Sequence, residues 1–348
     1  MVSYPENQII KDARALTEHF VPSRILHRDG QLTTLRDCLM PMTHKKKMRN
    51  AFLYGPPGSG KTCISRYVCE ELTAHAPGVA YVYVNCWKYP SRFKILLSVL
   101  NSLGVVLSVH RKGTPTDELL DVLRKKAKER SIVVILDEMD KVEDPSVLYD
   151  VLETENVGLI LISNEETALH NVDERVRSRF ASAEFIEFYR YKTDEIVDIV
   201  RDRVDWGLVP SAIKREQIES IAEHANGDAR IAIDTLHVAA ELAENADAAR
   251  ITDAHITKAL PRASVLSDTK KIEMLNMHQK ILYEIISAAG EVEPSDLYRE
   301  YERRVRAQKA EPMVERTLRK YIDRLLTSGM VEAKGEGRWR MYAKRSGG

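Results

Sequence analysis

Several features that mark other protein classes are scarce in this chain of 348 residues. None of its four cysteines has C-x-x-C spacing or a neighbouring histidine in a metal-ligand pattern: Cys38, Cys63, Cys69 and Cys86. We therefore expect buried, reduced thiols rather than a cysteine metal site. The longest apolar runs have only the length of a strand, so no membrane association is expected.

The chain also has no excess of positive or negative charge, because 52 Lys and Arg balance 52 Asp and Glu. Any basic surface must therefore be local. The N-terminal segment contains Pro5, Glu6 and Asn7 and does not resemble a basic and then apolar leader, which predicts a cytoplasmic protein. A hydrophobic content of 44% over this length can support two or three domains, each with its own core.

The segment 55–62 fits the phosphate-binding pattern G-x-x-x-x-G-K-[ST] and directly follows an apolar run. Its glycines allow a tight loop whose N–H groups turn inward. Lys61 can reach the β and γ phosphates, and Thr62 can ligate Mg²⁺. A Gly/Pro surface turn before an ordinary helix is the alternative, but it does not explain why strand, loop and Lys-Thr occur together.

Residues 64–71 have a helical pattern, and the dipole at the start of that helix adds to the anion site. The sequence therefore predicts binding of ATP or ADP with Mg²⁺. The expected contacts are the loop and the residue after it: Gly55, Pro56, Pro57, Gly58, Ser59, Gly60, Lys61, Thr62 and Cys63.

Apolar strands alternate with helical patterns between residues 51 and 188, which is typical of a parallel sheet with crossover helices. Strands are predicted at 51–54, 79–85, 132–136, 158–163 and 184–188. Helices are predicted between them at 92–103 and 116–130. The first domain, residues 1–190, is therefore predicted to be α/β.

Beyond residue 191 the strand signals stop, and a small all-α domain is predicted at 191–268. Its helices are predicted at 193–206, 211–226, 228–245 and 252–260. Asp228 is expected to cap the third of these helices, which places Arg230 in its first turn.

The remaining residues, 269–348, are predicted to form a third domain. Helices are expected at 272–289, 294–307 and 312–328, followed by strands at 330–333 and 338–343 around Gly335-Glu336-Gly337. Three helices and a terminal hairpin predict a winged helix.

Two carboxylates, Asp137 and Glu138, follow the apolar strand 132–136 at the edge where open parallel sheets place ligands. Asp137 would hold Mg²⁺ through water, and Glu138 would orient and polarise the water that attacks the γ-phosphate. Alone, the pair is equally compatible with a helix cap. Its position downstream of a phosphate loop favours the catalytic interpretation.

Asn164 ends the next predicted strand and is suited to hold the catalytic water, although a turn residue there is an equal alternative from the residues alone. Downstream, three arginines occur within five positions. Such a charged helix is usually a solvated face, but one arginine can instead reach the nucleotide of a neighbouring subunit. We favour Arg179 over Arg175 and Arg177.

These residues resemble AAA+ ATPases, and among them the archaeal replication initiators related to origin recognition complex subunit 1 and cell division control protein 6. The resemblance covers nearly the whole chain. It rests on the segments 21–31, 54–62, 83–87, 136–140, 162–164, 175–180 and 227–230. The Asn-Cys-Trp and Gly-Asp-Ala-Arg segments and the predicted winged helix are its most specific parts.

The resemblance implies that Asn164 is sensor 1 and that Arg230 is sensor 2, reaching the phosphates from the helical lid. A guanidinium at the start of a lid helix can indeed swing onto phosphate, although a surface pair with a carboxylate is the alternative. The segment between Val21 and Arg28 is implied to help enclose the adenine.

DNA binding has evidence of its own, because residues 270–348 contain 17 Lys and Arg against 12 Asp and Glu, a net charge of +5. Cations on the third helix and around the hairpin can grip backbone phosphates. They are Arg316, Arg319, Lys320 and Arg324, with Lys334, Arg338 and Arg340. A protein-binding winged helix with merely solvated charges is the alternative.

The family also implies a second DNA contact from a helical insertion between residues 85 and 114. The cations there are scattered and form no single helical face: Lys88, Arg92, Lys94, Arg111 and Lys112. A plain crossover helix is the alternative.

The predicted function is an ATP-dependent replication initiator that binds duplex origin DNA, with slow hydrolysis acting as a switch. By resemblance, its partners are an MCM-type replicative helicase and other copies or paralogues on nucleoid DNA. A clamp-loader-type subunit is one alternative, although it should end in a helical collar. An ATP-gated DNA-binding regulator is the other, and Glu138 argues against pure gating.

Overall fold

The structure is a computed structural model. It describes residues 8–18, 20–105, 115–261, 272, 275–308, 310–327, 329–335 and 340–344. The chain divides into two compact units, Met1–Ala263 and Ser264–Gly348. Within the described residues, no helix combines the length and the apolar character that crossing a membrane requires.

A five-stranded parallel sheet forms the centre of the first unit. Its strands are β1 Ala51–Tyr54, β2 Val79–Asn85, β3 Ser131–Asp137, β4 Val157–Ser163 and β5 Glu184–Glu187. They lie in the order β2-β3-β4-β1-β5, so β1 is flanked by β4 and β5. The predicted α/β sheet is confirmed, and each strand lies within one residue of its predicted ends.

Helices cover both faces of this sheet, because both faces carry apolar side chains. One apolar cluster joins the sheet to α1 Asp29–Leu39 and α2 Lys61–His75. The other joins it to α3 Arg92–Ser102, α4 Thr116–Glu129, α5 Ser146–Glu153 and α6 Glu174–Phe180. The helix after the phosphate loop is longer than predicted, since α2 begins at Lys61 itself.

Four helices follow the sheet in the same unit: α7 Thr193–Gly207, α8 Arg215–His224, α9 Ala229–Glu244 and α10 at 253–261. They share an apolar cluster with Ile9 and Leu16 of the N-terminal segment. Asp228 caps α9 as predicted, accepting bonds from the N–H groups of Arg230 and Ile231. The predicted start of α8 at residue 211 is wrong, because Ser211 has a φ of 64°.

The second unit is a winged helix. It contains α11 Met277–Ala289, α12 Pro294–Ala307 and α13 Glu315–Thr327. Its antiparallel sheet has the order β6-β8-β7, formed by Glu291–Val292, Met341–Lys344 and Val331–Lys334. Only the hairpin of β7 and β8 was predicted. The two-residue strand β6, which pairs with β8, is too short to show a period of its own.

Two helices of this unit begin later than predicted. The start of α11 is set by Asn276, whose side chain accepts a bond from the N–H of Gln279, while Gln279 reciprocates. The start of α13 lies at Glu315 rather than at residue 312. Residues 336–339 of the predicted hairpin turn lie outside the described residues.

Candidate functional site

The loop 55–60 connects β1 to α2, and each of its three glycines meets another part of the chain. A Cβ at Gly55 would lie 2.0 Å from the backbone oxygen of Phe188. One at Gly60 would lie 2.6 Å from the hydroxyl of Tyr191, and one at Gly58 would lie 1.8 Å from Oδ1 of Asp228. All three glycines also have positive φ, which favours glycine. The tight loop predicted from the pattern is therefore present. It is in contact with the lid, which consists of residues 191–261 with the helices α7 to α10.

Lys61 lies at the centre of the site and is only 6% exposed. Its Nζ donates to the backbone oxygens of Gly55 (2.7 Å) and Pro56 (2.8 Å) and to Oδ1 of Asn164 (3.2 Å). Burial lowers the pKa of Lys61 to about 8, against the opposing attraction of Asp137. The residues that follow β1 and β4 therefore meet at this ammonium.

Asp137, at the end of β3, forms bonds through both of its carboxylate oxygens. Its Oδ2 accepts from Oγ1 of Thr62 (2.6 Å) and from the hydroxyl of Tyr83 (2.9 Å). Its Oδ1 accepts from the N–H of Glu138 (2.9 Å). The hydroxyl and carboxylate predicted to bind Mg²⁺ are thus in direct contact. Tyr83 was missed as a site residue, because only the pairing of β2 with β3 brings it here.

Glu138 lies beside this carboxylate in an unusual backbone conformation, with a φ of 54°. A non-glycine residue there stores strain on the order of 1–2 kcal/mol, which is common at functional sites. Burial raises the pKa of Glu138 to about 7, and the charges of Asp137 and Asp140 add to the effect. The exposed Asn164 directly follows β4, the strand next to β3 in the sheet.

The segment before α1 reaches the loop through Arg28, which is 6% exposed. Its guanidinium donates to the backbone oxygens of Ser59 (3.1 Å) and Tyr189 (2.7 Å) and lies over the ring of Tyr191 at 3.6 Å. Arg28 therefore connects the phosphate loop to the residues between β5 and the lid. Val21, in the same segment, is half-buried.

The lid contributes a direct contact to the loop, because the N–H of Ala229 donates to the backbone oxygen of Gly58 (3.2 Å). Arg230 follows in the first turn of α9 and is 42% exposed. Its Nε lies 3.5 Å from Oε2 of Glu18 in the N-terminal segment. Arg230 is therefore near the site, and its charge influences Lys61 and Glu138, but its ion pair is with Glu18.

The arginines of α6 are not among the side chains gathered around the loop. Arg179 donates to Oε1 of Glu153 (2.5 Å) and lies over the ring of Tyr149. Arg175 pairs with Asp173. Arg177 is exposed and has no ion-pair partner among the described residues. Arg179 therefore makes these contacts with α5 rather than with the phosphate loop.

Some of the predicted DNA-binding cations form ion pairs within the second unit, and others do not. Arg316 and Lys320 are exposed on α13 and have no ion-pair partner in the described part of the chain. Arg319 pairs with Glu315, and Lys334 pairs with Glu291 at 2.8 Å. Arg324 is half-buried, and Arg340 lies over the ring of Tyr342. Arg338 lies outside the described residues.

The cations predicted for a second DNA contact are only partly described. Arg92 forms ion pairs with Asp150 (2.6 Å) and Asp117 (2.9 Å), so it holds α3 to its neighbours. Lys88 lies over the ring of Tyr89, and Lys94 is exposed. Arg111 and Lys112 lie outside the described residues.

Comparison with known proteins agrees with this architecture. A family model described as an AAA domain matches residues 44–169, and one described as a Cdc6 AAA+ ATPase-type lid domain matches residues 197–260. The fold is also similar to that of the Aeropyrum pernix ORC1 protein, solved in complex with DNA. That likeness has a TM-score of 0.78 at 24% identity and covers 99% of this chain and 95% of the other.

Sequence relatives are more informative about the family. The chain is 36% identical to ORC1-type DNA replication protein 9 of Halobacterium salinarum, over 98% of this chain and 96% of the relative. It is 39% identical to ORC1-type DNA replication protein 1 of the same organism, over 88% of this chain and 99% of the relative.

The phosphate loop, the paired carboxylates and the lid on a five-stranded parallel sheet make the chain an AAA+ ATPase, a class of nucleotide-binding enzymes. A winged helix forms its second unit. Within this class, the chain belongs to the family of ORC1-type DNA replication proteins.

Proposed function

We propose that this chain is an ATP-dependent replication initiator that binds duplex origin DNA through its winged helix. The observation that carries the proposal is its similarity to ORC1-type DNA replication proteins over nearly the whole chain. The Aeropyrum pernix relative of similar fold was solved in complex with DNA, which supports a DNA partner. ATP binding and slow hydrolysis would act as the conformational switch.

The loop residues Gly55–Cys63 would bind the phosphates through inward N–H groups, and Lys61 would leave the loop carbonyls for the β and γ phosphates. The hydroxyl of Thr62 and the carboxylate of Asp137 would hold Mg²⁺. Hard oxygen donors 2.6 Å apart suit that cation. Bound there, it would neutralise phosphate charge during transfer.

Glu138 is the proposed base for hydrolysis. Its raised pKa, which results mainly from burial, makes it a better proton acceptor than an exposed carboxylate. A water oxygen would attack the γ-phosphate, the bond to the β-phosphate oxygen would break, and the water proton would pass to Glu138. The amide of Asn164 would orient the same water.

Completion of the site would require a second chain, either another copy or a paralogue. Arg179, whose partly exposed side chain pairs with Glu153, would leave that pair to reach the nucleotide of a neighbouring chain. Arg230 would reach the phosphates by exchanging Glu18 for them. Val21 and Arg28 would border the adenine. The isolated chain should accordingly hydrolyse ATP slowly.

On the DNA side, the exposed Arg316 and Lys320 are the cations of α13 best placed to contact phosphates, with Arg319, Arg324 and the wing cations beside them. Recruitment of an MCM-type replicative helicase is proposed from the family alone. The clamp-loader alternative is disfavoured by the winged helix, and the regulator alternative by Glu138.

Fluorescence anisotropy with full-length protein tests the DNA proposal. Labelled duplexes from the origin region and of scrambled sequence are titrated with ATP or ADP present, across a series of salt concentrations. Tight, sequence-dependent binding with a shallower salt slope on origin DNA is expected, because base or shape contacts add to phosphate contacts. Weak binding that ignores sequence and disappears at moderate salt would contradict the proposal.

A further inference from the structure

The strand β2 carries two tyrosines, Tyr81 and Tyr83, that share one face because side chains alternate along a strand. Both are half-buried and pack against the apolar cluster beneath α1 and α2. Each hydroxyl donates to a carboxylate. Tyr81 reaches Oε1 of Glu70 at 3.1 Å, and Tyr83 reaches Oδ2 of Asp137 at 2.9 Å. The two hydrogen bonds are of the same kind, but only the bond from Tyr83 lies at the proposed nucleotide site.

The bond from Tyr83 ends on a group that the proposed site depends on. Thr62 donates its only hydroxyl proton to the same Oδ2 atom of Asp137, which leaves the Thr62 oxygen lone pairs free for a cation. The other oxygen of Asp137 accepts the N–H of Glu138. Three donors therefore fix the rotation of this carboxylate, and two of them act on one oxygen.

Tyr83 donates the single proton of its hydroxyl to Asp137. A hydrogen bond from a neutral donor to a charged acceptor is stronger than one between neutral groups.

We propose that Tyr83 is a positioning residue that holds Asp137 in the orientation needed for a Mg²⁺-nucleotide. The inference rests on the proposed ATP-binding function of the loop. Tyr83 does not contact the phosphates or the cation; it acts through Asp137, and its effect should appear only when the divalent cation takes part in binding.

The test compares Tyr83→Phe with Tyr81→Phe, the matched control that loses the same kind of bond on the same strand. A fluorescent, non-hydrolysable ATP analogue is bound to full-length protein, first in EDTA and then with increasing MgCl₂. For Tyr83→Phe, the Mg²⁺ concentration at half saturation should rise by about tenfold, the loss expected for one bond to a charged group. Binding in EDTA should change less than about twofold on that basis, and Tyr81→Phe should match the parent protein in both measurements.

Two results would overturn the inference. One is an unchanged Mg²⁺ requirement in Tyr83→Phe. The other is an equal loss of analogue binding with and without Mg²⁺ together with a lower melting temperature, which would make Tyr83 a purely structural residue. Failure of the parent protein to bind the analogue under any condition would instead reject the proposed nucleotide function, and the inference with it.

Discussion

Replacing Gly58 by alanine tests the direct contact between the lid and the phosphate loop. Gly58 occupies a position where the loop pattern accepts any residue, so phosphate binding alone does not require glycine there. The structure supplies a different reason. A Cβ at Gly58 would lie 1.8 Å from Oδ1 and 2.2 Å from Cγ of Asp228, whose carboxylate caps α9. Alanine must therefore displace that carboxylate or move the loop.

The expected loss of stability follows from two effects. Gly58 has a φ of 70°, and an alanine in that region costs roughly 1–2 kcal/mol. Displacing Asp228 removes a helix cap, which costs about 1 kcal/mol more. A total of about 2–3 kcal/mol should lower the melting temperature by about 4–12 °C, at roughly 2–4 °C for each kcal/mol.

Differential scanning calorimetry without nucleotide measures this loss, and Gly104→Ala separates its two parts. Gly104 has a φ of 74°, but among the described residues no atom lies within 4 Å of a Cβ built there. Its substitution should therefore show the backbone strain alone. Asp228→Ala measures the cap alone.

The double substitution Gly58→Ala with Asp228→Ala completes a cycle. Since the clash disappears once the carboxylate is gone, the double variant should lose about 1 kcal/mol less than the sum of the single losses. If Gly58→Ala were no worse than Gly104→Ala, or if the losses of Gly58→Ala and Asp228→Ala simply added, the expected steric conflict between a Cβ at position 58 and the Asp228 carboxylate would be refuted.

Three further predictions concern the proposed activities. Glu138→Gln should reduce ATP hydrolysis by on the order of 100-fold while retaining ATP, as measured by phosphate release and analogue binding. Glu18→Gln should free Arg230 from its partly exposed ion pair and tighten ATP binding roughly two- to fivefold in an anisotropy titration. Joint substitution of Arg316 and Lys320 by alanine should reduce the slope of log affinity against log salt by about 2, because each phosphate contact contributes about 0.9.

Matched variants make these predictions decisive. When Arg230→Ala is combined with Glu18→Gln, the tighter ATP binding should disappear. If it persisted, the effect of Glu18→Gln would not depend on Arg230. Arg303→Ala, an exposed arginine of α12 that pairs with Glu300, should leave the salt slope unchanged. Hydrolysis by Glu138→Gln at the parental rate would show that Glu138 is not the base.

Secondary-structure elements that are marked by the residue types within them were predictable from the sequence. All five strands of the sheet lie within one residue of prediction, because β-branched and aromatic runs end at turn residues. Helix starts were less accurate where a side chain decides them. The reciprocal bonds between Asn276 and Gln279 place the start of α11 five residues after the predicted one. The short strand β6 exists only because β8 lies beside it.

The chemical groups of the site were predictable from the sequence, but the side chains that contact those groups were not. The loop pattern and the carboxylates after a strand identify Lys61, Thr62 and Asp137, since each residue type has a defined role beside phosphate. The strand order is not written in any local pattern. It places β2 next to β3, and only this pairing brings Tyr83 to Asp137.

Residue type and spacing over short stretches account for the helices and strands, the phosphate loop and the family resemblance. Which distant residues meet depends on the packing of the folded chain. That packing sets Asp228 against Gly58, Glu18 beside Arg230 and Tyr83 on Asp137. Such contacts follow from the packing of the lid and the order of the strands, which depends on the whole core rather than on any one segment.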